Sequence, residues 1–146
     1  MADLYFETVP TEAQERYERN IKVIEEFRRT EGRSGAGRTL LLTTTGAKTG
    51  KERTVPVAFL SEGNRLLIFG SRAGSDKHPD WYWNLRKNPI VTVEVGAEKY
   101  QAKATPLEGE ERDRLFAKQK EVMPVFADYE SRTQRVIPVI ALERTT

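Results

Sequence analysis

Residues 40–53 read Leu-Leu-Leu-Thr-Thr-Thr-Gly-Ala-Lys-Thr-Gly-Lys-Glu-Arg, and the rest of the chain is organised around this stretch. An apolar run followed by three β-branched threonines favours a strand over a helix. Gly46 and Gly50 then permit a loop whose backbone N–H groups converge on an anion, and three basic side chains add positive charge. The stretch therefore predicts a buried strand leading into an anion-binding loop, with a solvated hairpin turn as the alternative.

The composition is typical of one soluble domain over residues 1–146. The chain has no cysteine, which excludes disulfides and thiolate sites and agrees with a cytoplasmic location. Its single histidine excludes a multi-histidine metal site, so we predict no metal. A net charge of +2 is too small to predict binding to nucleic acid. No apolar run approaches the roughly 18 residues of a membrane span.

The N-terminal part predicts a loose arm over residues 1–10 and an amphipathic helix over residues 11–30. Thr11 and Gln14 suit a capping box at the start of that helix. Its apolar residues recur at helical spacing and would lie on the barrel; they are Tyr17, Ile21, Ile24 and Phe27. Acidic and basic residues balance on its polar face, so peripheral membrane contact is not favoured.

The remainder alternates between strand and helix patterns. After the first strand, further strands are predicted at 54–60, 65–71, 89–95, 99–105 and 136–142, with helices at 108–122 and 125–133. Pro56 in the second of these strands indicates an edge, a bulge or a ligand-facing position, because proline donates no ladder hydrogen bond. The fold class predicted is α+β, a small six-stranded antiparallel barrel with peripheral helices.

A second informative stretch lies around residues 72–88. Pro79 favours a helix start, and Trp81, Tyr82 and Trp83 are successive, so on a helix they cannot all face one core. At least one ring is left for a ligand or for a partner chain, which makes a homodimer possible. A metal site built from nearby Asp and His side chains is disfavoured, because alternate residues that enter a helix do not share a face.

Taken together, these motifs resemble those of the deazaflavin-dependent nitroreductase family, split β-barrel proteins that use reduced coenzyme F420 as hydride donor. The matching positions, which span residues 40–142, are the stretch 40–53, Pro56, Ser71, 77–85, Asn88-Pro89, Asp128-Tyr129 and Ile137-Pro138. The resemblance implies a split barrel of the FMN-binding type and an F420H2-dependent reductase.

The resemblance also implies a cofactor site. The phosphate and acidic tail of F420 would be held by Lys48, Thr49, Gly50 and Arg53, with help from Arg72. The ring would be lined by Val55, Pro56, Phe69, Gly70 and Ser71, with Trp81 and Asn84 beside it. Ala47 belongs to the same site, where it replaces a basic residue found in some relatives.

The acceptor site is implied in the same way. Ser71 and Tyr129 are the candidate catalytic residues, as donors that orient the acceptor, with a strand-end hydroxyl and an interface ring as their ordinary alternatives. Ala58, Met123, Phe126 and Tyr129 would form the substrate pocket. The first three of these stand where nitroimidazole-reducing relatives carry tyrosines. We therefore expect a flat apolar acceptor, such as a quinone, an activated alkene or an unsaturated lactone, in preference to a nitro compound.

Two other classes of function stay open on the sequence alone. One is a split-barrel protein that binds FMN or haem, because a fold does not determine a function. The other is a non-enzymatic F420 carrier, which would keep the cationic loop and lack a substrate cavity.

Overall fold

The computed structural model describes residues 12–145, which form one β-barrel with four α-helices around it. The predicted arm over residues 1–10 and the predicted cap at Thr11 lie outside this range. No helix within the described range is long and apolar enough to cross a membrane.

The barrel strands are β1 (Thr39–Thr45), β2 (Glu52–Glu62), β3 (Arg65–Phe69), β4 (Ile90–Val95), β5 (Glu98–Pro106) and β6 (Val139–Arg144). Each strand pairs antiparallel with its neighbours, and the barrel closes in the order β1-β2-β3-β6-β5-β4. The predicted six-stranded antiparallel barrel is confirmed.

The strands divide their side chains between two apolar layers, because alternate residues of a strand face opposite sides. Leu40, Leu42 and Ile68 belong to one buried cluster, which takes side chains from all six strands and fills the barrel. Leu67 and Phe69 belong to a second cluster, in which β3 and β6 pack against helices outside the barrel. This outer layer forms one wall of the cavity described below.

The helices are α1 (Glu12–Arg29), α2 (Asp80–Lys87), α3 (Gly109–Val122) and α4 (Val125–Ser131). Pro79 immediately precedes α2, and Pro124 separates α3 from α4, as their sequence positions predict. All four helices fall close to their predicted places.

Helix α1 contacts the barrel through its C-terminal half. The Phe27 side chain is buried, and the Arg28 guanidinium donates two hydrogen bonds, of 3.0 and 2.9 Å, to the Glu94 carboxylate on β4. Tyr17 is 62% exposed, so the predicted apolar stripe is wrong at its first position. The reason is that the first turns of α1 lie along the rim of the cavity, and the buried part of the stripe begins at Ile21.

Two predicted strands are shorter than expected where they meet. β3 ends at Phe69 instead of continuing to residue 71, because residues 72–74 turn with positive φ. β6 begins at Val139 instead of residue 136, after Pro138, which has no N–H to donate. The Gly70 N–H donates to the Pro138 carbonyl at 2.9 Å, which ties the two chain segments together beyond the strands.

Candidate active site

A cavity of about 660 Å³ lies between β2, the turn that follows β3 and the junction of α3 with α4. Its volume is in the range of ligand pockets, about 300–1,000 Å³. Its apolar walls are formed by Val55, Pro56, Val57, Ala58, Phe69, Trp81, Met123, Val125 and Phe126. Its polar and charged edge includes Arg16, Arg19, Ser71, Arg72, Asp80 and Tyr129.

The cavity brings together most residues predicted for the ring and the acceptor. These are Val55, Pro56, Ala58, Phe69, Ser71, Trp81, Met123, Phe126 and Tyr129. Arg72, which was predicted to help hold the coenzyme tail, also lines the cavity, whereas the other residues predicted for the tail lie in the neighbouring β1–β2 hairpin; they are Ala47, Lys48, Thr49, Gly50 and Arg53. Gly70 and Asn84 take part in hydrogen bonds that hold these surfaces in place, as described below.

The β1–β2 hairpin is a tight, glycine-dependent loop. The Gly46 N–H donates to the Lys51 carbonyl at 2.8 Å, and Gly50 has a φ of 71°. A Cβ at Gly46 would meet the Thr49 hydroxyl at 2.7 Å, so a side chain there would displace the Thr49 side chain from its place in the loop. The loop carries its basic side chains, Lys48 and Lys51, outward into solvent.

The hairpin's cations are available to a ligand. Lys48, Lys51 and Arg53 are exposed, and none of them pairs with a carboxylate within residues 12–145. Elsewhere most ion pairs use arginine, as in the contact of Arg28 with Glu94. Unpaired cations on a preformed loop are suited to phosphate or carboxylate groups.

Asn84 holds this hairpin against α2. Its Oδ1 accepts from the Ala47 N–H at 2.9 Å, and its Nδ2 donates to the Thr44 hydroxyl at 3.1 Å. The Lys87 ammonium adds a hydrogen bond to the Ala47 carbonyl at 2.8 Å. Both ends of the Asn84 amide are therefore engaged within the protein, and this residue positions the loop. Its predicted contact with the deazaflavin stays a prediction.

Strand β2 connects the hairpin to the cavity. Arg53 lies at the hairpin end of β2, and Val55 and Pro56, which follow closely, line the cavity. At about 3.3 Å per residue, Arg53 and Val55 are roughly 7 Å apart along the strand. A ligand with an anionic tail and a flat apolar head can therefore touch both surfaces at once.

The turn after β3 forms the polar edge of the cavity in a strained conformation. Arg72, Ala73 and Gly74 have φ values of 45°, 52° and 83°. A non-glycine residue in the left-handed region costs roughly 1–3 kcal/mol and persists only when its surroundings hold it there. A Cβ at Gly74 would lie 2.9 Å from the Cβ of Arg132, so the turn also packs closely on the segment after α4.

Two hydroxyl groups at the cavity are free to bind a ligand. Ser71 is only 8% exposed, and its hydroxyl makes no hydrogen bond to any residue in the described range. The Tyr129 hydroxyl is likewise unbonded within residues 12–145. Hydroxyls that line a cavity and have no protein partner are suited to orienting an acceptor oxygen.

The side of the cavity formed by α3 and α4 is aromatic and apolar. Phe126 is 4% exposed, and its ring packs edge-on against Phe69 and Tyr129, with centroid distances of 5.7 and 5.2 Å. Met123 is half-buried beside them, and its sulfur accepts from the Gln119 side-chain amide at 3.4 Å. The Phe126 ring is thus fixed by packing, whereas Met123 offers an adaptable surface.

Helix α2 separates its three aromatic residues, as the sequence predicts. Trp81 and Tyr82 are each 9% exposed, and Trp81 both packs in the barrel interior and lines the cavity. Trp83 is 50% exposed and contacts the His78 ring edge-on at 5.4 Å. The rings therefore serve the core, the cavity and the outer surface.

His78 and its acidic neighbour Asp76 each contact another side chain of the described residues. Its Nδ1 lies 3.0 Å from an Nη1 of Arg135, and Asp76 accepts a hydrogen bond from Thr133 at 3.1 Å. Burial lowers the pKa of His78 below its usual 6.5, and the charges of Arg135 and Arg86 lower it further. Nδ1 is therefore the acceptor of a guanidinium hydrogen bond, and the imidazole is neutral.

Three cations at the site were not predicted. Arg16 and Arg19, three positions apart on α1, line the cavity, and helical spacing alone places them on one face. Arg135, in the segment before β6, holds the turn after β3 from behind. No pattern in the sequence indicates that contact.

Comparisons with known proteins agree with this geometry. The sequence profile of the F420H(2)-dependent quinone reductase family matches residues 15–144. An F420H(2)-dependent quinone reductase of Mycobacterium tuberculosis is 36% identical in an alignment 128 residues long, and the match covers 81% of this chain and 85% of the relative. A solved F420-H2 dependent reductase is 40% identical with a TM-score of 0.67, and the match covers 73% of this chain and 94% of that one.

More distant structures show the fold alone. A heme storage protein of Vibrio cholerae is 18% identical with a TM-score of 0.59, over 86% of this chain and 89% of its own. The quinone reductase and the solved reductase described above, which are 36% and 40% identical to this chain, are both named for F420, whereas the heme storage protein is 18% identical. The predictions of an F420-dependent oxidoreductase and of its cofactor are confirmed, and this chain belongs to the F420H(2)-dependent quinone reductase family.

Proposed function

We propose that this protein transfers a hydride from reduced F420 to a quinone-type acceptor bound in the 660 Å³ cavity. The observation that carries the proposal is the course of β2, which joins the cationic hairpin directly to an apolar cavity wall. An anionic coenzyme with a flat ring needs both surfaces, and a carrier would need no separate acceptor wall.

The residues present fit the coenzyme. We propose that its phosphate and acidic tail bind to Lys48, Thr49, Gly50 and Arg53. Within residues 12–145, neither Lys48 nor Arg53 pairs with a carboxylate that would compete with the ligand. Charge-assisted hydrogen bonds contribute about 1.5–3 kcal/mol each, so three or four of them, together with burial of the apolar ring, reach the roughly 8 kcal/mol of micromolar affinity after ordering costs. The glycine at position 50 permits the positive φ that turns the loop toward the ligand.

The ring is proposed to lie against Val55 and Pro56, with Phe69 and Trp81 closing the apolar slot. When bound there, reduced F420 would supply a hydride, which is one proton with two electrons, and the second proton released as the coenzyme is oxidised would complete the hydroquinone. Pro56 exposes no backbone N–H to the slot, which suits a flat apolar surface. Apolar walls also exclude water from the reacting atoms.

The acceptor is proposed to stack on Met123 and Phe126, beside Ala58. Ser71 and Tyr129 then donate hydrogen bonds to the acceptor oxygen, on which negative charge develops. Met123 and Phe126 have no hydroxyl, so polar nitro groups gain less from this wall than quinones or unsaturated lactones do. Arg16 and Arg19 at the rim give an acidic substituent a favourable place.

We also propose a homodimer as the assembly. A solved relative, 40% identical with a TM-score of 0.67, is described as a domain-swapped dimer. In this chain, Trp83 and Ile90 are 50% and 47% exposed at the end of the barrel that carries α2, and large apolar side chains of this kind are common at interfaces. Light scattering of the purified protein at several concentrations tests this part of the proposal.

The test of the function uses purified protein and two titrations read by fluorescence, one with oxidised F420 and one with FMN. We expect saturable F420 binding at micromolar concentration and at least about tenfold weaker FMN binding. Turnover is then followed as reduced F420 is oxidised in the presence of menadione, a naphthoquinone. Tight FMN binding without F420 binding would favour a flavin protein, and F420 binding without quinone turnover would favour a carrier.

A further inference from the structure

One guanidinium group binds three carbonyls at the ends of the strained turn beside the cavity and also contacts His78, which lies beyond the turn. Arg135 Nη1 donates to the Gly70 carbonyl at 3.0 Å, and Nη2 donates to the Ser71 carbonyl at 2.9 Å. Its Nε donates to the Ser75 carbonyl at 2.8 Å, and Nη1 also lies 3.0 Å from His78 Nδ1. The turn is thus held at both of its ends by a single side chain.

This turn needs such support because its own backbone is unfavourable. Arg72 and Ala73 occupy the left-handed region. The turn's internal hydrogen bonds, Gly74 N–H to the Ser71 carbonyl and Ser75 N–H to the Arg72 carbonyl, leave the Gly70 and Ser75 carbonyls to other donors. Arg135 supplies those donors from a half-buried position. Burial lowers the pKa of its guanidinium, yet arginine stays protonated at any ordinary pH.

We propose that Arg135 is a positioning residue for hydride transfer: it fixes the turn so that Ser71 and Arg72 face the cavity. The inference rests on the proposed function, because it assigns a role in that reaction. Arg135 does not line the cavity, so it acts through the turn and not on the substrate. The turn carries both a free hydroxyl and a cation, and a displacement of about 1 Å at such a site can reduce a rate about 100-fold.

The planar fork of arginine is the feature that matters. Lysine keeps the charge and most of the length, but its donors radiate from one point and cannot reach acceptors that lie around a plane. Arg135→Lys should therefore release part of the turn while the barrel stays folded. We expect kcat/KM for menadione to fall about 10- to 100-fold, with reduced F420 saturating.

A matched control is Arg65→Lys. Arg65 also bonds through its guanidinium, to Glu62 and Glu111 at 2.8 Å each, but it begins β3 and lies roughly 13 Å from Phe69 along the strand. The control should keep the wild-type kcat/KM. Equal losses in both lysine variants would show a general effect on stability and would overturn the positioning role.

A double-mutant cycle separates positioning from simple structural support. If Arg135 acts through Ser71, then Ser71→Ala and Arg135→Lys should be non-additive, and the double variant should be little worse than the poorer single variant. Arg135→Lys with Lys48→Ala should be additive, because Lys48 lies on the other surface. Additive losses in the Ser71 cycle would overturn the proposal.

The outcomes distinguish this inference from the proposed function. If the wild type binds F420 but reduces no quinone, the proposed function fails first. If the wild type is active and Arg135→Lys is equally active, only the inference fails. If Arg135→Lys does not fold, the same cycle is run with Arg135→Gln, and failure of both variants to fold makes Arg135 a stability residue and overturns the inference.

Discussion

Replacing Asn84 by alanine should weaken both the fold and coenzyme binding, because this side chain connects the hairpin to α2. The change removes the 2.9 Å bond from the Ala47 N–H and the 3.1 Å bond to the Thr44 hydroxyl. Each such bond contributes about 1 kcal/mol net, and an unpaired donor left near the core adds to the cost. We expect a loss of about 2–3 kcal/mol, or roughly 6–12 °C in Tm for a domain of this size.

Coenzyme affinity should fall in parallel, because the hairpin's cations are no longer held in one place. Urea unfolding and F420 titration by fluorescence measure the two effects on the same preparation, and we expect Kd to rise about tenfold. Asn84→Asp keeps the acceptor for Ala47 and should recover part of the stability, whereas its negative charge beside the hairpin should keep F420 affinity low. Asn88→Ala removes a single, longer bond of 3.4 Å to the Thr45 carbonyl and should cost less than about 1 kcal/mol.

The two measurements decide between positioning and direct contact. A large loss of F420 affinity with an unchanged melting temperature would mean that Asn84 touches the coenzyme and that the hairpin stands without it. Unchanged affinity in a destabilised variant would refute the reasoning in the other direction, because the hairpin's position would then be irrelevant to binding.

The remaining predictions concern the tail, the ring and pH. Changing Lys48 and Arg53 together to alanine should raise the Kd for F420 at least about tenfold, and added salt should weaken wild-type binding in titrations. An unchanged Kd in a folded variant would mean that these cations are only solvated and do not bind the tail. Trp81→Ala should lower the free energy of unfolding in urea by roughly 3–5 kcal/mol and should also weaken coenzyme binding, because the ring packs in the core and lines the cavity. Wild-type stability in this variant would show that the ring does not contribute to the core. The lowered pKa of His78 means that the unfolded chain binds its proton more tightly, so stability should be full above about pH 6.5 and should fall as pH drops through the folded pKa. Urea unfolding at about pH 7.5 and about pH 5.5 measures that fall, and His78→Gln should reduce it; an equal fall in the variant would assign it to other groups.

The barrel was predictable because its causes are local. The apolar run at Leu40 to Leu42 and the alternating patterns of the later strands predict strands, and the prolines at 79 and 124 limit the helices because they lack an N–H. All of these effects act within a few residues of the chain. The exceptions are also local in cause. β3 stops at Phe69 because the next turn has positive φ at Arg72 and Ala73, and nothing in non-glycine residues indicates such a conformation in advance.

In the candidate site too, features with local causes were predictable from the sequence and long-range contacts were not. The hairpin was predictable because glycines such as Gly46 and Gly50 permit backbone conformations that a tight loop requires. The cavity residues of β2 follow from strand geometry and family resemblance. Asn84 was identified as a site residue, but its bonds run to a backbone N–H and to a threonine about 40 positions away. Resemblance indicates that such a residue matters without saying which atom it binds.

Arg135 marks the limit of what the sequence can show. It bonds to carbonyls at positions 70, 71 and 75, some 60 or more residues away, and every residue type has a carbonyl. In such a contact only the donor requires a particular residue type, because any residue can supply the acceptor carbonyl. Neither spacing nor composition therefore predicts it. The residues proposed to touch substrate and coenzyme can thus be predicted from side-chain chemistry, whereas the residues that hold them in place are recognised only in the folded chain. Mutational tests of this family should therefore include backbone-binding arginines as well as the cavity wall.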